Sequence, residues 1–243
     1  MFVGAGTVVN VLAIISGSVI GILAGHRIRS DIRTLMTDVL GAVTLISAAS
    51  AIKEMWNSSL NSLQTGASIL IVLISLLLGG LIGSLLSFEA RLDGLGQTLK
   101  AKFDRGNSSR FVEGFVNSSL IFVIGPLAIL GSISDGMGTG VDQLLLKSAL
   151  DFFASIAFAA TFGWGVSLSS LPVGIYQFSW TFVGVFLGSV LSDTQVALMT
   201  ATGGILLLGV ALKLLEIKKI AIGNLLPALA IAPCLVALIQ KFV

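Results

Sequence analysis

Hydrophobic positions gather into eight runs of bilayer length, separated by shorter polar connections: Val3–Gly25, Leu35–Ile52, Ala67–Phe88, Phe111–Ile133, Ser148–Leu168, Leu171–Leu191, Val196–Leu215 and Ile222–Ile239. Each is close to the roughly 20 residues that a helix needs to cross a hydrocarbon core. Backbone N–H and C=O groups find no water there, so a crossing segment must satisfy them within itself or in a closed barrel. The alternation of a barrel strand is absent. The pattern predicts an all-α fold, a polytopic membrane bundle of about eight transmembrane helices in a single domain over 1–243.

The polar connections predict which way the helices run. Basic residues in short loops resist translocation. With the N-terminus outside, all but Lys53, Lys147 and Lys241 of the 14 Lys and Arg fall on the inner side. The largest connection, 89–110, places Leu92, Leu95, Leu99 and Phe103 at helical spacing among Arg91, Lys100 and Lys102. It is expected to be an amphipathic helix on the inner membrane surface. Lys53–Gly66 reads as an ordinary outer loop.

Glycine recurs in register. Gly17, Gly21 and Gly25, Gly79 and Gly83, and Gly184 and Gly188 each stand four apart on one helix face. Such stripes let helices approach to backbone contact, within one chain or between copies. Two of these stripes also belong to a repeat. A gapless shift of 163 residues aligns Gly21 with Gly184, Gly25 with Gly188, Leu35 with Leu198, Met36 with Met199, Thr37 with Thr200, Gly41 with Gly204, Leu45 with Leu208 and Ala48 with Ala211. The first copy enters from outside and the second from inside. The expectation is an inverted repeat with candidate halves 1–88 and 168–243, an architecture that many secondary transporters share.

Candidate chemistry lies where this pattern is interrupted. Gly125-Pro126 removes a backbone donor inside the fourth run and predicts a break at membrane depth. Charge inside the runs is costly and therefore informative. Asp151 is a candidate cation or proton site, with Lys147 one turn earlier as its alternative partner. Asp135, in Ser-Asp-Gly, reads as a turn residue close to the suspected break. Asn10, Asn117, Ser118, Ser119, Ser155, Tyr176 and Gln177 complete a candidate substrate-binding or pore-lining set. Each can equally serve as a hydrogen bond between helices, and Tyr176 with Trp180 also fits an interfacial aromatic belt.

Composition narrows the function classes. Hydrophobic residues make up 55% of the chain and charged residues 11%, against about 25% charged in soluble domains. The net charge of +2 has a topological role, and no nucleic-acid partner is expected. Cys234 stands alone, and the single histidine, His26, adjoins Arg27. No metal site, cofactor or nucleotide motif is legible, so the chain is not expected to be an enzyme.

Three blocks of sequence carry a resemblance. They are Gly4-Ala5-Gly6-Thr7-Val8-Val9-Asn10, the stretch Glu113–Leu120 followed by Gly125–Gly136, and Lys147-Ser148-Ala149-Leu150-Asp151 with Ser155, Gly163, Tyr176 and Gln177 beyond. Through them the chain resembles the YdfK/YqgA family of uncharacterised bacterial inner-membrane proteins, labelled domain of unknown function 554. The resemblance implies a multi-pass protein of the bacterial cytoplasmic membrane and brings no substrate. Opposed repeats, a broken helix and isolated polar groups point to a small secondary transporter or permease-like protein for an unidentified solute or ion. An oligomeric channel-like pore and a non-transporting membrane scaffold are the alternatives, and the lipid bilayer is the one partner common to all three. Glycine stripes leave homo-oligomerisation open.

Overall fold

The computed structural model describes residues 2–25, 29–60, 66–103, 110–124, 126–138, 140–187 and 191–242. Its helices are α1 (Ala5–Gly25), α2 (Ser30–Ile52), α3 (Ala67–Leu85), α4 (Phe88–Phe103), α5 (Phe111–Val123), α6 (Pro126–Met137), α7 (Asp142–Phe162), the short α8 (Gly165–Leu168), α9 (Ser170–Leu187), α10 (Asp193–Leu214) and α11 (Ala228–Phe242). Short 3-10 turns cover Lys53–Trp56, Ser58–Leu60 and Ile222–Leu225. No strand occurs among the described residues, as the self-satisfying backbone of apolar runs requires.

Six of these segments are long and apolar enough to cross a membrane, and a seventh joins them if α5 and α6, bent by 61°, count as one broken span. Eight were expected. The difference is the run Leu171–Leu191, which appears as the 18-residue α9 carrying Tyr176, Gln177, Ser179, Trp180 and Thr181, while residues 188–190, Gly188 of the glycine stripe among them, lie outside the described part. The bend falls where the Gly-Pro pair predicted it. Ile124 takes an extended conformation (φ −76°, ψ 112°) and ends α5, and Pro126 opens α6, the first helical turn being where a missing N–H does least harm. Gly125 itself lies outside the described residues, as do His26 and Arg27.

The chain folds as two compact units, Met1–Leu40 with Leu92–Val190, and Gly41–Arg91 with Leu191–Val243. In the first unit α1 packs along α7. A Cβ on Gly17 would collide with the carbonyl of Phe152, one on Gly21 with that of Ile156, and one on Gly25 would lie 2.7 Å from that of Ala160. Each step of four residues on α1 matches a step of four on α7, so the two helices run parallel, as the first and fifth crossings of an alternating bundle do. Helix α9 packs on α1 in the opposite sense, with Gly4 against Phe178 and Gly174 against Val11. Helix α5 packs on α7 and α9.

The second unit surrounds an apolar core of Leu60, Ile71, Val72, Ala197, Leu198, Ala201 and Val236. Glycines again set the closest approaches. A Cβ on Gly79 would lie 2.5 Å from the nitrogen of Ala228, and one on Gly83 would overlap the carbonyl of Asn224. Helix α10 starts with a capping box, in which Gln195 N–H donates to Ser192 Oγ (3.4 Å) and Ser192 N–H to Gln195 Oε1 (2.8 Å), satisfying two otherwise orphaned groups. Where α3 gives way to α4, Ser87 adopts a left-handed φ of 54°.

Candidate functional site

A buried polar seam runs through the first unit. Lys147, Asp151 and Ser155 stand at four-residue spacing on α7 and line one face over about 12 Å of helix axis. All three are buried. Lys147 Nζ donates to Asp151 Oδ2 at 2.6 Å and lies 6.0 Å from the centre of the Phe122 ring on α5. The same carboxylate oxygen accepts from Asn10 Nδ2 at 3.0 Å. The pairing of Asp151 with Lys147, one of the two sequence readings, is therefore present, and Asn10 from α1 joins it. Burying an ion pair is costly unless both partners are satisfied, and Asn10 supplies a second hydrogen bond to the carboxylate.

Asp135 departs from its sequence reading. It is a helical residue of α6 rather than a turn residue. Its buried carboxylate accepts from Gly4 N–H at 3.1 Å and Gly6 N–H at 2.9 Å, so it caps the amino end of α1, where unpaired N–H groups and the helix dipole favour negative charge. Gly6 is needed at that contact: a Cβ there would fall 2.6 Å from Leu144 Cδ1 and 3.1 Å from Asp135 Oδ2.

The remaining candidates separate by their hydrogen bonds. Ser119 Oγ donates to the Phe115 carbonyl at 2.6 Å and is satisfied within α5. Tyr176 is half-buried and meets Trp180 edge to face at 6.3 Å. Pro126 starts α6 without a described side chain, and Gly125 is not described. Asn117, Ser118, Ser155 and Gln177 are buried, and their side chains find no hydrogen-bond partner among the described residues; Asn10 Oδ1 and Thr7 Oγ1 share that condition. Both polar atoms of each amide, Asn117 and Gln177, are unpaired.

These groups come from four helices packed in a ring, α1 and α5 each against α7 and α9. Gln177 on α9 lies between the Gly174–Val11 and Phe178–Gly4 contacts, at the level of Thr7 on α1. Asn117 and Ser118 lie on α5 between Gly114, whose Cβ would meet Phe162, and Phe122, which stacks edge-on with Phe158 at 6.2 Å. A buried polar group without a hydrogen bond costs roughly 1–3 kcal/mol by protein measurements, so six such side chains in one unit mark it as the candidate site. Among the described residues no three His, Cys, Asp or Glu are grouped to hold a metal.

Sequence reasoning passed over Thr7 as a site residue. Its signal was present: Thr7, Asn10, Ile14, Gly17 and Gly21 follow three-and-four spacing, so the glycine stripe of α1 continues toward the amino end as a polar stripe. Glu89 was also missed. In the second unit its carboxylate accepts from Gly223 N–H (2.6 Å) and pairs with Lys213 (3.6 Å), while its own N–H donates to Asn224 Oδ1 (2.9 Å).

Comparison with known proteins adds membership without chemistry. The chain is 30% identical over 237 residues to the uncharacterized membrane protein YdfK of Bacillus subtilis (strain 168), covering 98% of this chain and 97% of the relative. It is 28% identical over 231 residues to the uncharacterized protein YqgA of Escherichia coli (strain K12), covering 93% and 94%. No solved structure matches the chain. The family model described as a protein of unknown function, DUF554, matches residues 5–237, and with an apolar helical fold and a membrane-protein relative beside it, this chain is a membrane protein that belongs to the DUF554 family.

Proposed function

We propose that this protein is a small non-enzymatic permease of the bacterial inner membrane, passing a polar solute along the seam between α1, α5, α7 and α9. The observation that carries the reading is the set of unpartnered polar atoms on those four helices. An unsatisfied donor or acceptor in hydrocarbon is expensive, and a polar solute or its water removes that cost. The 61° bend between α5 and α6 adds support, since broken helices at membrane depth accompany solute sites in transporters.

An inverted repeat fits the same reading and draws on the second unit. A Cβ on Gly41 would lie 2.7 Å from Leu215 Cγ, and one on Gly204 would lie 2.7 Å from the nitrogen of Ile52. The 163-residue shift turns Gly41 into Gly204 and Ile52 into Leu215. The contact thus maps onto itself, as a pseudo-two-fold axis between antiparallel α2 and α10 requires. Helix α4, exposed along most of its length but with Gly96 packed on Val112 and Phe115 of α5, suits an inner-surface helix at the edge of such a bundle.

The test is efflux. Liposomes carrying the purified protein and loaded with a cytoplasmic metabolite extract are expected to release one class of solute faster than protein-free liposomes, with a rate that saturates. Identical release profiles would remove the permease reading, and a rate linear in concentration would replace it with an open pore.

A further inference from the structure

We infer that the seam takes a small uncharged solute bearing both hydrogen-bond donors and acceptors, of the polyol or urea type, rather than an ion. This rests on the permease reading and specifies its substrate class. The buried charged side chains of the first unit are already engaged: Lys147 and Asp151 bind each other, and Asp135 is held by the N–H groups of Gly4 and Gly6. A cation drawn to Asp151 Oδ2, where Asn10 Nδ2 and Lys147 Nζ both donate, would meet the Lys147 ammonium. An anion there would face the Asp151 carboxylate. Within a low-dielectric bundle either repulsion is strong, so both signs of charge are disfavoured by the same pair.

What the seam leaves free is balanced in kind. Asn117 and Gln177 each offer an amide carbonyl and an amide N–H₂, Asn10 offers a carbonyl, and Thr7, Ser118 and Ser155 offer hydroxyls that both donate and accept. A solute with several hydroxyl or amide groups pairs with both kinds along its length. It sheds its water without leaving either partner unsatisfied. Carboxylate or phosphate recognition would instead need a free buried cation, and Lys147 is already engaged.

The experiment is stopped-flow swelling of proteoliposomes in urea, glycerol, erythritol, glycine and sodium chloride, with wild type, Gln177→Leu and Asn117→Leu. Urea, glycerol or erythritol is expected to enter at least tenfold faster than in protein-free vesicles, and each variant to return that rate to background. Because each variant replaces an unpartnered amide with an apolar group of similar volume, its melting temperature is expected to equal or exceed that of wild type; a fall of more than a few degrees would mean that the amide is structural and overturn the assignment. Acceleration confined to glycine or sodium chloride would overturn the substrate class and leave the permease reading standing. No acceleration of any probe overturns the inference, and the metabolite-efflux measurement then shows whether the permease reading falls with it.

Discussion

The two units handle buried polarity differently. In the unit formed by Gly41–Arg91 and Leu191–Val243, buried hydroxyls return to their own helices: Ser75 donates to the Ile71 carbonyl and Thr202 to that of Leu198, both at 2.7 Å. The charged group Glu89 is matched at the unit's edge by Gly223 and Lys213, and the centre is apolar. In the other unit an ion pair stands in the interior, and every buried side-chain atom without a partner among the described residues belongs to it. Among the described residues the two bundles thus differ in kind, one with its buried polar side chains satisfied and the other with several that are not. A membrane protein can carry an interaction-hungry interior in one region when the rest of the chain packs without such cost.

Six variants test that contrast, the largest expected effect first. Lys147→Ala leaves Asp151 charged and buried, and should cost about 3–5 kcal/mol, the range for breaking a buried pair. The double replacement Lys147→Met with Asp151→Leu should recover most of it. Unfolding by a mixed-micelle denaturant titration reads both, and an unaffected single mutant would mean that the pair is solvated. Gly21→Ala in α1 and Gly204→Ala in α10 place a methyl group against the backbone of Ile156 and Ile52 respectively. Each should cost about 1–3 kcal/mol by overpacking, measured in the same titration. Equal losses would show that the units are alike in packing and differ only in polarity.

A smaller loss, about 1 kcal/mol, is expected for Glu89→Gln, because a charge-assisted hydrogen bond at a partly exposed edge contributes modestly. Its melting temperature should fall slightly while solute flux persists. Last is Ser155→Ala, expected to match wild type or exceed it by about 1 kcal/mol, because it removes a buried hydroxyl that has no partner. A loss above about 1 kcal/mol at Ser155 would reveal a structural hydrogen bond and erase the contrast there.

Much of the architecture was legible in the residues because lipid imposes one demand on every segment. Apolar runs gave the helices, and the stripes Gly17-Gly21-Gly25 and Gly79-Gly83 marked seams that the structure fills with backbone of α7 and with Ala228 and Asn224. The Gly125-Pro126 dipeptide marked the bend. What escaped was partnership at long range. Asp135 finds its partners at Gly4 and Gly6, some 130 residues earlier, and they are main-chain N–H groups that leave no side-chain signature. Glu89 likewise reaches Gly223 across 134 residues. The candidate list also mixed satisfied and unsatisfied groups: Ser118 and Ser119 are indistinguishable in sequence, and the side-chain rotamer decides which hydroxyl bonds the carbonyl four residues back.

The parallel docking of α1 on α7 has a consequence for biogenesis. A ribosome delivers α1 to the translocon long before Asp135, Lys147 and Asp151 emerge, so in the interval Asn10 and the bare amino end of the helix have none of their final partners. The intervening segment Gly41–Arg91 belongs to the other unit and cannot substitute for them. The nascent chain must therefore shelter its first helix beside the insertion machinery, or let it wait in lipid, until more than a hundred further residues have been translated.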